Sequence, residues 1–246
     1  SQLEENITNK TKWLMLNSPS NPTGAVYSKD ELKNLSKVLL KYPEIYILTD
    51  DIYEKIIYEN IEFHTLASVE PKLKNRILTL NGVSKTYCMT GWRLGYCGGP
   101  KEIIAGMNKI QSQSNTSTSS ISMAAAVEAL NGDQDFIMKH NNEFIQRRDF
   151  VVKNLNAIDG ISCQIPEGAF YVYPSCAGII GKKTKKGDTI KNDEDFMNFL
   201  LESEGVAGVH GAAFGLSPYF RLSYATDKNT LIDACERITR ACKNLS

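Results

Sequence analysis

Apolar and polar positions alternate along this chain in two registers, and the change from one to the other divides it. Trp13 to Leu16 is a short apolar run that stops at Asn17-Ser-Pro-Ser-Asn-Pro-Thr-Gly24. Two prolines and a glycine make that stretch a loop. Ser28, with Glu31 three residues later, forms a capping-box signal for a helix running to about Lys41. Ile45 to Leu48 reads as a buried strand ending at Asp50-Asp51, and Arg76 to Leu80 as a further strand ending at Asn81-Gly82. Strand, helix, strand in that order predicts βαβ units around a mostly parallel sheet.

A Ser/Thr-rich stretch, Ser112 to Ser122, leads into an alanine-rich helix to Leu130, which Asn131-Gly132 stops. From Asp135 to about Asn156 the positions Phe136, Ile137, Phe144, Ile145, Val151 and Val152 predict one long amphipathic helix. Beyond it, short strands (Ile161 to Ile165, Ala169 to Tyr173, Phe220 to Tyr224) alternate with helices (Asp193 to Ser203, Lys228 to Leu245). That pattern is α+β. The boundary is expected inside the long helix, giving an α/β domain over 1–145 and a smaller α+β domain over 146–246. The four lysines between Gly181 and Gly187 read as a solvated surface loop.

Composition narrows the classes little. Of 246 residues, 42% are hydrophobic and 23% charged, the usual balance for a globular protein. Twenty-eight basic residues match twenty-eight acidic ones, so no overall charge calls for a nucleic acid or a membrane surface. The six cysteines are scattered without a Cys-x-x-Cys pair, which argues against a zinc site and for a reduced compartment. The start is polar, and no apolar run approaches the ~20 residues needed to cross a bilayer. A cytoplasmic protein is the expectation.

The chemistry concentrates in Ser84-Lys-Thr-Tyr-Cys-Met-Thr-Gly-Trp-Arg-Leu-Gly-Tyr96. Lys85 follows Gly82, whose backbone can approach a ligand closely, and Arg93 lies eight residues on, between Gly91 and Gly95. A lysine that forms a Schiff base needs a partly desolvated amine. A phosphate favours the permanent, bidentate charge of arginine. One segment therefore offers both an aldehyde-binding amine and a phosphate clamp. Three further motifs accompany it: Asn21-Pro-Thr-Gly24, Asp50-Asp-Ile-Tyr53 after an apolar strand, and Tyr219-Phe-Arg221-Leu-Ser-Tyr-Ala225. Taken singly each has a plain alternative: a turn, a strand-end carboxylate, and an edge-strand arginine with its head in water.

Together, in this order, the motifs resemble the class I aminotransferases that depend on pyridoxal 5'-phosphate (PLP), those of fold type I. Gly82-Val-Ser-Lys85 through Gly91-Trp-Arg93-Leu-Gly95 is similar to the family's cofactor-lysine signature, with Cys88 a mild departure where a small residue is more usual. The resemblance runs from Thr11 to the end and includes Gly168-Ala-Phe-Tyr-Val-Tyr173 and Gly211-Ala-Ala-Phe-Gly215. It implies that Lys85 holds PLP as a Schiff base and acts as general base and acid. It assigns Asp50 to the pyridine nitrogen, Tyr53 and Asn21 to the 3'-oxygen, and Arg93 to the phosphate. Arg221 grips the substrate carboxylate, with Asn21 beside it, and Gly82 belongs to the cofactor loop. Spacing alone does not separate Asp50 from Asp51.

The run of motifs looks most like the bacterial aspartate aminotransferases, which implies aspartate and 2-oxoglutarate as substrates, with prephenate accepted in some. It also implies a homodimer. Members of the family are longer, so this chain is expected to be their C-terminal portion, without the Gly/Ser-rich phosphate turn and the ring-stacking aromatic residue. Low activity, an uncovered apolar face and an unpaired sheet edge would follow. Other PLP enzymes of the same fold, such as a C–S lyase, and a non-catalytic aminotransferase-like sensing domain are the alternatives.

Overall fold

A computed structural model of the protein describes residues 2–246. Its residues group into two units, one comprising the chain up to Pro19 together with Val26–Met138, the other Ser20–Ala25 together with Lys139–Ser246.

In the first unit a short helix α1 (Gln2–Asn6) precedes strand β1 (Trp13–Asn17), helix α2 (Lys29–Leu39) and strand β2 (Tyr46–Asp50). Helix α3 (Leu66–Val69) and a 3₁₀ turn lead to β3 (Ile77–Gly82) and β4 (Gly95–Gly98). The sheet order is β1-β2-β3-β4, with the first three strands parallel and β4 antiparallel to β3. Helix α2 starts where the sequence predicts: the Ser28 hydroxyl accepts the Glu31 N–H and the Glu31 carboxylate accepts the Ser28 N–H. Its apolar face, Leu32 and Leu39, packs with Ile47, Ile77, Leu66 and Leu73, and Leu14 and Leu16 complete that layer. Arg76 fastens the layer, donating to the carbonyls of Leu39, Tyr42 and Ile45 at 2.6–2.8 Å.

Strand periodicity sends alternate residues to the opposite face. There Trp13 stacks on Tyr46 at 5.2 Å, yet both remain 40% exposed, and Met15 is 71% exposed. Helix α4 (Lys101–Ser114) buries no residue. Helix α5 (Ser120–Asn131) sets Ala126 against Val83 and Leu94, which flank the lysine segment.

Helix α6 (Asp135–Asn156) has the predicted bounds. The division between the units falls within it, at Met138/Lys139, where the sequence suggested 145/146. In the second unit, β5 (Tyr171–Val172), helix α7 (Asp193–Glu204), β6 (Val209–His210), β7 (Phe220–Ser223) and helix α8 (Lys228–Lys243) follow. The antiparallel order is β5-β7-β6, so β7 is central. Phe196 of α7 meets Phe220 of β7 edge-on at 5.5 Å, both fully buried.

Several elements differ from expectation, among them the short α1, α3 and β6. Helix α4 and the glycine-bounded β4 were not anticipated, and Ile161 to Ile165 makes a single bridge, Ser162 to Ser175, in place of a strand. The reason is local: the Asn156 side-chain amide takes both the N–H and the C=O of Cys163, at 2.7 and 2.9 Å. Cys163, Cys176, Cys235 and Cys242 are buried and unpaired, and burial pushes their thiols up to about 11–12. Among the described residues no helix is long and apolar enough to cross a membrane.

Candidate active site

The first unit gathers its candidate residues at the carboxyl ends of β2 and β3, where open α/β sheets bind ligands. Asp50 ends β2, half-buried, and its carboxylate accepts the Ile52 N–H at 3.3 Å. Its carbonyl is taken by the Asn17 side chain at 2.9 Å. Asp51 is the more enclosed of the pair, at 5% exposure. Burial raises its carboxyl to about 6, with the neighbouring charges of Glu54 and Asp50 pushing in the same direction. Tyr53 is buried behind them.

Gly82 ends β3 opposite Gly95 of β4. A β-carbon at Gly82 would lie 3.1 Å from the Leu94 carbonyl and 3.3 Å from the Gly95 Cα, so close strand pairing selects glycine here. The chain then turns through Ser84–Tyr87, closed by Cys88 N–H donating to the Lys85 carbonyl at 3.1 Å. Through this turn the Lys85 Nζ comes 5.8 Å from the centre of the Tyr53 ring. Cys88 and Arg93 both adopt positive φ, 53° and 51°. That conformation costs a side-chain-bearing residue energy that glycine avoids. At Arg93 it reverses the chain, so that Leu94 packs inward while the guanidinium stays exposed, tied to the Thr90 carbonyl at 2.9 Å.

The second unit holds the other two candidates together. Arg221 lies on the central strand β7, opposite Val209 of β6. Its guanidinium sits between two aromatic rings, 4.7 Å from the centre of Tyr171 and 5.0 Å from that of Phe214. One Nη donates to the Asn21 side-chain oxygen at 2.7 Å. This is no edge-strand arginine: its strand is central and its guanidinium lies over two rings while an N–H group makes a hydrogen bond. Asn21 is held by its own loop. Gly24 has φ 71°, and its carbonyl accepts the N–H groups of Glu167 and Gly168 at 3.0 and 2.8 Å. A β-carbon at Gly24 would fall 2.4 Å from that of Pro166 and 2.7 Å from the Gly168 carbonyl, so the glycine of Asn-Pro-Thr-Gly is required twice over.

Sequence reasoning passed over three residues. Tyr171 and Phe214 were noted within motifs but not as the faces of Arg221, because their partner is distant along the chain. Asp193, at the start of α7, is fully buried and holds the loop preceding β7. Its only sequence signal is an acidic residue in a helical first turn, which describes most such helices.

With this geometry in view, likeness to other proteins becomes informative. Residues 1–238 match the model of the family described as aminotransferase class I and II. The chain is 57% identical over 242 residues to a protein named probable aspartate/prephenate aminotransferase from Rhizobium leguminosarum bv. phaseoli, covering 98% of this chain and 60% of that one. An aspartate aminotransferase of Rhizobium meliloti (strain 1021) is 55% identical over 245 residues, again with 60% of its length covered. A crystal structure of the aspartate aminotransferase from Rhizobium meliloti superposes with a TM-score of 0.97 at 55% identity, over all of this chain and 61% of that one. An aromatic aminotransferase from Pyrococcus horikoshii OT3 gives 0.87 at 34% identity, over 98% of this chain and 62% of that one. The chain thus spans about 60% of the length of the curated relatives it matches. It belongs to the class I and II aminotransferase family and carries that family's α/β fold of type I.

Proposed function

We propose that this chain supplies the cofactor-binding and carboxylate-binding residues of an aspartate aminotransferase. The overall exchange converts L-aspartate and 2-oxoglutarate to oxaloacetate and L-glutamate in two half-reactions of a ping-pong cycle. The observation carrying this reading is the Lys85 amine above the Tyr53 ring, in a turn following the carboxyl end of β3.

The donor set suits PLP. An amine for an aldehyde (Lys85), a carboxylate for a protonated ring nitrogen (Asp50), a phenol for a ring oxygen (Tyr53) and a guanidinium for a phosphate (Arg93) all belong to one unit. The resemblance adds Gly82, which in the fold is the glycine that lets β3 pair closely with Gly95 of β4. The resemblance also assigns Asn21, a residue of the second unit, to the ring oxygen. When bound, PLP supplies an electron sink for the charge released at the substrate Cα.

The remaining work is done by the protein. Lys85 would hold the cofactor through its amine, and once substrate has taken that place the freed amine would serve as the base that takes the Cα proton and the acid that delivers it to the cofactor's C4' carbon. Asp50 keeps the ring-nitrogen proton in place, and Tyr53 with Asn21 hydrogen-bonds the ring oxygen. Arg93 neutralises the phosphate. Arg221, held over the Tyr171 and Phe214 rings, binds the α-carboxylate through its N–H groups. As the resemblance implies, residues 1–145 serve the cofactor and, with Asn21, residues 146–246 bind the substrate, in a cytoplasmic homodimer.

Visible absorption of the chain titrated with PLP tests this directly. Wild type is expected to develop a Schiff-base band that shifts on adding aspartate, and Lys85→Ala is expected to lack it. Turnover should fall by about 10²–10⁴-fold in that variant, the usual contribution of a positioned proton-transfer group. A band unchanged by Lys85→Ala would overturn the assignment. Running 2-oxoglutarate against prephenate as amino acceptor separates the aspartate reading from the second activity named for the Rhizobium leguminosarum relative.

A further inference from the structure

Between β6 and β7 the chain makes a loop, Gly211–Tyr219, which the second unit braces from two sides. On one side stands Asp193, whose side chain is 0% exposed. One carboxylate oxygen accepts the Ala212 N–H at 2.7 Å and the other accepts the Ser217 hydroxyl. On the other side the Tyr173 hydroxyl reaches the carbonyls of Gly211 and Leu216 at 3.1 and 3.0 Å. Tyr173 also lies parallel to Tyr219 at 5.3 Å and edge-on to Phe214 at 6.0 Å. Gly211 leaves no slack: a β-carbon there would come within 2.3 Å of the Leu216 carbonyl and 2.8 Å of the Tyr173 hydroxyl.

A fully buried carboxylate is costly unless its hydrogen bonds are met. Here the Ala212 N–H and the Ser217 hydroxyl, which meet the two carboxylate oxygens, belong to one loop, and that loop carries Phe214, one of the two rings on the Arg221 guanidinium. Accepting hydrogen bonds from the loop's own N–H and O–H groups, Asp193 fixes where the Phe214 ring stands. The ring in turn fixes the plane in which Arg221 offers its donors. We propose that Asp193 is a positioning residue for Arg221, acting through Ala212, Ser217 and Phe214 to set the affinity for carboxylate ligands. This rests on the reading of Arg221 as the carboxylate-binding residue.

Two measurements on the full chain separate the proposal from that reading. The first is the Arg221 guanidinium N–H signal by NMR, assigned with Arg221→Lys. Held between two rings, it should be shifted upfield in wild type and should move back toward the value of a free arginine in Asp193→Asn. The second is titration with succinate, an unreactive dicarboxylate. Its affinity should drop about tenfold in Asp193→Asn, the scale of one lost hydrogen bond to a charged group, while PLP affinity, served mainly by residues of the other unit, stays at the wild-type value. A guanidinium signal and succinate affinity both unchanged in Asp193→Asn overturn the proposal. Succinate binding that ignores Arg221→Lys sinks the carboxylate reading instead, and the NMR signal alone then decides the brace. Should Asp193→Asn fail to fold, Ser217→Ala keeps the buried charge and removes one of its bonds. It is expected to move the signal the same way with an affinity loss of about threefold, and no movement overturns the proposal.

Discussion

The two units have cores of similar make-up and surfaces that are not alike. Fully buried side chains such as Tyr58, Ile47 and Leu66 in the first are matched by Tyr224, Phe196 and Phe220 in the second. Yet of the large apolar side chains left exposed, all but Ile165, Leu201 and Leu216 belong to the first unit. Many of them lie on the open face of β1 and β2 and along α4 and α5, among them Met15 at 71%, Ile110 at 71%, Ile121 at 78% and Val127 at 61% exposed. The difference extends to how charged side chains are placed. Lys85 and Arg93 stand on turns shaped by backbone, including a left-handed residue, whereas Arg221 is fixed by packing on a central strand. One unit positions its chemistry through φ and ψ, the other through rings and buried hydrogen bonds. Substitutions should therefore act differently in each.

The largest contrast is expected from Phe196→Ala. The ring is fully buried against Phe220, and its loss should lower unfolding free energy by about 3–5 kcal/mol in a denaturant titration. A cost below ~1 kcal/mol would show that the second core is looser than its burial suggests.

Next comes Asp51, the buried charge of the first unit. Its carboxyl rises from 3.8 to about 6 on folding, so the native state holds this proton more tightly than the unfolded chain. Between those two values stability should decline as pH rises, by up to about 3 kcal/mol. Asp51→Asn removes that dependence, so the variant should gain on wild type from pH 4 to pH 8. An equal stability difference at both pH values would refute it.

Gly24→Ala addresses the backbone of the second unit, where the methyl group meets Pro166 and the Gly168 carbonyl at positive φ. A loss of about 1–3 kcal/mol in thermal unfolding is expected. The smallest effect should come from Ile110→Ser on the open surface of α4, within about 0.5 kcal/mol of wild type. A large loss there would mean that the exposed helix face is covered in solution, and gel filtration of the same variant would show by what size of partner.

What the sequence discloses follows the range of the interactions concerned. Helix α6 is legible to the residue because its apolar spacing and the Asn131-Gly132 stop before it are local. Helix α2 is legible through its capping box. Helix α4 was missed although Ile103, Ile104, Met107 and Ile110 fall on one side, because a helix that buries nothing reads like any polar stretch beside a Ser/Thr-rich run. Strand β4, Gly-Tyr-Cys-Gly, is half glycine, which strands disfavour, and it pairs with β3. At the site, Lys85, Arg93 and Gly82 are legible as one local segment. The pair Asp50 and Asp51 could not be told apart by spacing, and burial is what distinguishes them. The rings on Arg221 and the brace from Asp193 depend on contacts between residues far apart in sequence, which no local pattern encodes.

The cysteines supply a practical consequence. All four buried thiols, Cys163, Cys176, Cys235 and Cys242, belong to the second unit, and the accessible Cys88 and half-buried Cys97 belong to the first. Raised to about 11–12, the buried thiols stay protonated at neutral pH and resist alkylation while the fold holds. The molecule thus contains an intrinsic clock: each additional carbamidomethyl group on the second unit, read by mass spectrometry of peptides, records an opening of that unit, independently of whether the first has opened.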